Sequence, residues 1–179
     1  MKTKWTIDPM HSEVQFKVKH LVISTVTGNF TSFSSEAETE GENFENGSVK
    51  FTVDVNSINT GNEQRDGHLK SADFFDAANH PAIDFVSTGM KKTGDDTYKL
   101  SGNLTMRGVT KPVELDVTFG GTMVDFYGNH KAGFEVTGKI NRKDFGLHWS
   151  AVTEAGGVVV SDEVKISCNI QYAKAQYRK

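Results

Sequence analysis

The sequence predicts an all-β protein, an eight-stranded antiparallel barrel with one short helix between strands, and three observations carry that prediction. Apolar and polar residues alternate with period two in eight separate segments, as strands with one buried and one wet face require. Most of these segments follow one another after short connections, which suits antiparallel neighbours. Closing such a set on itself removes the exposed edges that an open sheet would leave. A two-sheet sandwich would show the same alternation and is the competing architecture.

The first strand sets Val14, Phe16, Val18 and His20 against Glu13, Gln15, Lys17 and Lys19, so His20 falls on the apolar side. In the second, about Thr25 to Thr39, Val26, Gly28 and Phe30 share one phase and Phe33 takes the other, which predicts a bulge near Thr31 to Phe33. The third turns Val49, Phe51, Val53 and Val55 inward. After His80-Pro81 the fourth buries Ile83 and Phe85 and continues with Ser87 and Gly89. A Gly94-Asp95-Asp96 turn leads to the fifth, with Tyr98, Leu100, Gly102, Leu104 and Met106 inward. Across a turn at Gly108-Val109-Thr110, the sixth alternates Val113, Leu115, Val117 and Phe119 with Glu114, Asp116 and Thr118, and Pro112 suits its start. The seventh carries Ala132, Phe134, Val136, Gly138 and Ile140, and the eighth Val164, Ile166, Cys168, Ile170 and Tyr172. An irregular stretch, Asn141 to Val160, separates these two and holds Phe145, Leu147 and Trp149.

The one helix is expected over about residues 61–71. Thr60 followed by Glu63 reads as a capping box. Arg65, His68, Leu69 and Ala72 then share one face, while Glu63, Asp66 and Lys70 share the other, with Asp66 and Lys70 paired at i,i+4. So short a helix, with Gly67 inside it, must dock on something larger, and Phe74 and Phe75 are its expected anchors. It is expected to close one barrel end and point Arg65 and His68 inward. The competing reading gives Arg65 a structural pairing and His68 a packing role.

The 179 residues fit a single domain, residues 1–179, with no repeat or linker. A net charge of -3 with scattered Lys and Arg argues against nucleic acid, or an acidic membrane reached by charge alone, as a partner. Cys168 is the sole cysteine, which excludes an intrachain disulfide and is expected to pack as a small apolar residue. No stretch is long and apolar enough to span a bilayer, and no leader is visible. A cytoplasmic location is the default expectation, or a periplasmic one if a leader has been removed. The six histidines show no metal spacing, and no nucleophile elbow or phosphate loop is present. No metal, cofactor or catalytic residue is therefore expected.

Eight strands leave an interior that is either filled by side chains or holds one small ligand. Gly28, Ser87, Gly89, Gly102, Ala132 and Gly138 all fall in inward phases, which favours an elongated apolar cavity. The competing reading has neighbouring Phe side chains filling those gaps, or glycines marking barrel corners. Ligand contacts are expected from Phe16, Val18 and His20 on the first strand, Phe30 on the second, and Phe51 and Val53 on the third. Arg65, His68, Leu69, Phe74 and Phe75 are expected to add to them from the helix and its exit, and Phe85, Leu104, Met106 and Phe134 from later strands. Phe145 and Trp149 complete the set from the irregular stretch.

Several ordered motifs carry a resemblance to a known family. Asp8-Pro9-Met10-His11-Ser12 with Phe16, His20 and Gly28-Asn29-Phe30 matches its opening pattern. Its most specific signature is matched by Arg65-Asp66-Gly67-His68-Leu69-Lys70-Ser71-Ala72-Asp73-Phe74-Phe75, continued by His80-Pro81-Ala82-Ile83-Asp84-Phe85. Further matches run from Gly102 to Pro112, from Asn141 to Gly146 and over Asp162-Glu163-Val164, with Ser161 departing from a common glycine. The chain thus resembles the YceI-like, lipocalin-like family, whose domains bind polyisoprenoids and related amphiphilic lipids. That resemblance implies an eight-stranded barrel with a lipid tunnel, and many relatives are exported. The first functional reading is a non-enzymatic protein that carries or sequesters a polyisoprenoid, an isoprenoid quinone or a fatty acid. The alternatives are a lipid-modifying enzyme using His20, Arg65 or His68, and a stress-related structural homodimer whose barrel is filled.

Overall fold

The computed structural model describes residues 2–20, 23–148 and 160–175. Its strand segments are β1 Lys2–Ile7, β2 Glu13–His20, β3 Ser24–Phe30, β4 Phe33–Glu40, β5 Asn43–Asp54, β6 Ile58–Asn59, β7 Ala82–Lys92, β8 Thr97–Met106, β9 Val109–Val124, β10 His130–Asn141 and β11 Val160–Lys174, and its helix is α1 Glu63–Lys70. The sheet runs β1-β4-β5-β7-β8-β9-β10-β11, and pairing of β1 with β11 closes it into a barrel of eight antiparallel staves. β1 with β2, β3 with β4, and β5 with β6 each form one stave interrupted by a local break, so the first three staves are double. The expected fold is therefore the observed one.

The breaks have local causes. Between β1 and β2, Asp8 donates its backbone N–H to the Gln171 carbonyl (2.8 Å), while its carboxylate caps the turn Pro9–His11 by accepting from the Met10 amide. Burial opposes that carboxylate's charge, but hydrogen bonds from the His11 ring and the Lys131 ammonium hold its pKa below the ordinary value. The breaks after β3 and β5 lie side by side, with Thr31 N–H donating to the Ser57 carbonyl and Asp54 N–H to the Ser32 carbonyl. The phase change between Phe30 and Phe33 marks this place.

Four details differ from the sequence expectation. β1 was not anticipated, because its six residues offer only Trp5 and Ile7 as large apolar signals, although its burial alternates cleanly. The β8–β9 turn is Arg107–Gly108, both at positive φ (52° and 74°), rather than Gly108-Val109-Thr110. Two such residues give the primed turn whose twist matches the flanking strands. A bulge between Ser87 and Gly89 flips the phase of β7, so that Gly89 pairs with the outward Ser101 and Met90 turns inward. The helix is capped two residues later than expected: Asn62 accepts the Arg65 amide, in place of Thr60 accepting the Glu63 amide.

Both barrel ends are plugged by buried side chains, whereas the middle is not. At one end Trp5, Phe44 and Tyr172 are buried. At the other, where α1 and the 3-10 segment Arg142–Phe145 sit, Phe74, Phe145 and Leu147 are buried. Between them Phe16, Phe51, Val136 and Ile166 point inward yet keep accessible surface, the signature of a hollow centre.

Candidate functional site: the barrel cavity

The hollow is a cavity of about 240 Å³ lined from nearly every stave. Period-two alternation places Val14, Phe16 and Val18 of β2, Val49, Phe51 and Val53 of β5, and Val164, Ile166 and Cys168 of β11 on its wall. Phe30, Phe85, Leu104, Met106 and Phe134 also line it, and Leu69, Phe74 and Phe75 close it from the helix and its exit. At the far end Phe44 packs between Trp5, Phe119 and Phe134, at centroid distances of 5.4, 5.1 and 5.0 Å. Such offset and edge-on contacts add to simple area burial.

The polar side chains at the Trp5–Tyr172 end of the cavity are hydrogen-bonded. Trp5 Nε1–H donates to Thr39 Oγ1 (2.9 Å), and that hydroxyl donates to the Gly41 carbonyl. Ser35 Oγ donates to the Lys50 carbonyl, so the 2.7 Å contact with Tyr172 is donated by the Tyr172 hydroxyl. Burial raises the Tyr172 pKa to about 12, against the opposing hydrogen bond to Ser35. Burial likewise pushes the Cys168 thiol up to about 11.

Arg142 is the one cation on the wall among the described residues. It is 3% exposed, and burial lowers its pKa against the opposing field of Asp162. Its Nε and Nη1 donate to the carbonyls of Ser161 (2.9 Å) and Leu147 (2.7 Å), which ties the end of β10 to the start of β11. Arg142 thus lines the cavity while its guanidinium holds the backbone. Arg107, at the β8–β9 hairpin tip of the same barrel end, joins the Ala72 carbonyl (2.7 Å) to the Gly146 carbonyl.

The inward glycines are filled, as the competing reading held. A Cβ on Gly28 would stand 2.3 Å from Phe16 Cζ, one on Gly102 2.4 Å from Phe85 Cζ, and one on Gly138 2.4 Å from Leu115 Cδ2. Each glycine seats a neighbour's side chain against the wall and thereby sets the width of the cavity.

The expected polar anchors do not line the cavity. Arg65 is exposed, and its Nε and Nη2 donate to Thr60 Oγ1 and the Thr60 carbonyl (both 2.8 Å). Asp66 is not on a free face paired with Lys70; its Oδ1 accepts from both the amide and the hydroxyl of Thr60. Thr60 and Asp66 thus close the turn that a Thr60–Glu63 box was expected to close. His68 Nε2 lies 2.9 Å from Asp73 Oδ2, with its ring edge-on to Phe74. On an eight-residue helix the side that packs on the barrel is set by Leu69, Phe74 and Phe75, which leaves Arg65 outside. Phe145 is 1% exposed and packs in the core rather than on the cavity wall. Trp149 lies outside the described residues, as does the His20 side chain, whose backbone ends β2 opposite Ser24.

Residues of the site not assigned to it from sequence include Trp5, Phe44, Arg142 and Tyr172, besides inward strand positions such as Val14, Val49, Leu100 and Ile166. Tyr172 stood in an inward phase, and Phe44 is a lone aromatic between Asn43 and Glu45 with no periodic neighbour to reveal it. Burial of Arg142 had no local signal, because its carbonyl partners come from the chain fold.

Comparison with known proteins agrees with this architecture. The chain is 40% identical over 144 residues to a UPF0312 protein of Pectobacterium atrosepticum, covering 80% of this chain and 74% of that one. It is 35% identical over 172 residues to a UPF0312 protein of Staphylococcus aureus, covering 96% and 98%. Among solved structures, BcnA of Burkholderia cenocepacia superposes with a TM-score of 0.80 at 25% identity, covering 92% of this chain and 98% of that one. The YceI protein of Campylobacter jejuni gives 0.77 at 33%, covering 88% and 90%. A polyisoprenoid binding domain from Saccharophagus degradans shares the fold, with a TM-score of 0.68 at 19% identity over 96% of this chain and 98% of that one. With residues 5–172 matching the YceI-like domain, this chain belongs to the YceI-like family.

Proposed function

We propose that the protein binds a long-chain amphiphilic lipid, of the polyisoprenoid, isoprenoid quinone or fatty acyl class, in the barrel cavity and carries or sequesters it unchanged. The observation that carries this reading is the wall itself: apolar side chains from nearly every stave surround one hollow, while the polar side chains at its Trp5–Tyr172 end are hydrogen-bonded. About 240 Å³ exceeds the ~150 Å³ apolar void that admits benzene but falls below the ~300 Å³ of common ligand pockets, so a slender tail fits better than a bulky ring system. Ten buried methylenes contribute roughly 8 kcal/mol before association and ordering costs. The polyisoprenoid binding domain that shares this fold supports the same ligand class. The enzyme alternative is weakened by Arg65 and His68, whose polar groups engage Thr60 and Asp73 away from the cavity wall.

Mass spectrometry of an organic extract of the purified protein tests the proposal. A prenyl or acyl compound present in near-stoichiometric amount is the expected result. A lipid-free extract, together with no binding of a fluorescent fatty acid, would return the barrel to a filled structural role. Conversion of added lipid by pure protein would make it an enzyme.

A further inference from the structure

We propose that the β9–β10 hairpin is a membrane-docking element, which inserts Phe126 and Tyr127 into the interfacial layer of a lipid bilayer. Its tip carries the largest apolar exposure among the described residues: Phe126 is 107% exposed, Tyr127 89%, Met123 59% and Val124 55%. Four such residues within five positions are not the scattered surface hydrophobics that any soluble protein shows.

The tip is held rigidly in that conformation. Asp125 Oδ1 accepts from the Tyr127 and Asn129 amides (both 2.9 Å), and Asp125 N–H donates to the Asn129 carbonyl (2.9 Å). Gly128 supplies the positive φ of 80° that the turn needs. Two rings presented by a preformed turn lose little conformational freedom on insertion. The ribbon also extends past its neighbour: β8 stops pairing at Thr97–Thr118, while Thr122, Met123 and Val124 pair only with β10. Insertion of the tip therefore disturbs no other strand.

Charge points to the same partner. The whole chain is 24% charged, yet from Val117 to Asn129 the one charged side chain is Asp125, whose oxygens are hydrogen-bonded inside the turn. Inserting the two rings brings one charge near the bilayer, the Asp125 carboxylate, and its oxygens already accept the Tyr127 and Asn129 amides, which suits a bilayer interface better than a tip rich in free charges. The four side chains offer roughly 500–700 Å², short of the ~800 Å² per partner that a stable protein interface buries, and a hairpin tip is convex. The base of the ribbon, through Phe119 and Phe134, is continuous with the aromatic end of the cavity at Phe44. Docking goes beyond the lipid-carrier reading and does not depend on it, because its test reads partition rather than cavity occupancy.

Co-sedimentation of the full chain with phosphatidylcholine vesicles tests this. The unaltered protein should partition, with little dependence on salt because no cationic patch is involved. The pair Phe126→Asp and Tyr127→Asp should reduce the partition coefficient by roughly tenfold or more, and Phe126→Trp with Tyr127→Trp should keep or increase it. Circular dichroism of both double variants should match the parent, since neither ring packs on the barrel. Failure of the parent to partition, or equal partition of the Asp pair, overturns the proposal. So does partition that salt abolishes. Self-association of the parent without vesicles, lost in the Asp pair, also overturns it by making a second copy the partner.

Discussion

Phe16 lies directly across the β2–β3 pairing from Gly28, and its ring occupies the space where a side chain at position 28 would begin. The atoms within 3.0 Å of a Cβ there all belong to that ring, whereas at Gly102 the Val86 carbonyl oxygen, at 2.6 Å, joins Phe85. The two glycines are therefore expected to respond differently. Gly28→Ala should swing Phe16 into the hollow at a stability cost of about 1 kcal/mol, while Gly102→Ala, which meets backbone, should cost about 2–3 kcal/mol. Both should reduce uptake of a fluorescent fatty acid. Urea denaturation and lipid titration check the pair; equal stability costs would mean that the backbone at Gly102 yields as readily as a ring.

Arg65 and Asp66 exchange the roles that helical periodicity assigns them. Asp66 is tied to the Thr60 amide and hydroxyl and is part-buried, so Asp66→Ala should cost about 1–2 kcal/mol. Arg65→Ala loses two exposed hydrogen bonds and should cost under about 1 kcal/mol. Neither should change affinity for an anionic amphiphile relative to a neutral alcohol of the same tail. Calorimetric titration with both ligands decides this, and selective weakening of the anionic one by Arg65→Ala would restore Arg65 as a headgroup anchor.

Legibility in the sequence followed the range of the interactions. Alternation along β2, β5, β8, β10 and β11 depends only on residues two apart, so inward positions such as Phe16, Val53, Leu104, Phe134 and Ile166 could be read directly. The phase change at Phe33 revealed the break between β3 and β4, but the bulge after Ser87 had no such marker, and Gly89 was placed on the wrong face. The helix was legible as a helix. Its orientation was not, because docking is decided by Phe74 and Phe75 beyond its end and by the Thr60–Asp66 bonds. Inward glycines signal small size at one position, and whether the gap stays open depends on a neighbour across the sheet.

Cys168 and Tyr172 make a prediction about alkaline stability. Burial raises Cys168 from 9.0 to about 11 and Tyr172 from 10.0 to about 12. Above pH 9 the unfolded chain therefore releases these protons before the folded one does, and folding stability falls as pH rises. The Cys168 contribution should be intact below pH 9 and lost progressively up to about pH 11, by up to roughly 1.4 kcal/mol per pH unit. Cys168→Ala should flatten the curve in that window and leave the later fall from Tyr172, whatever the mutation costs at neutral pH. The same shift keeps the thiol protonated and slow toward a maleimide at neutral pH, and because Cys168 lines the cavity, bound fatty acid should slow labelling further. Urea midpoints between pH 8 and 11, with and without Cys168, separate the two groups. Identical pH profiles for parent and Cys168→Ala, together with fast labelling that lipid does not affect, would place the thiol outside the hollow and β11 in the opposite phase.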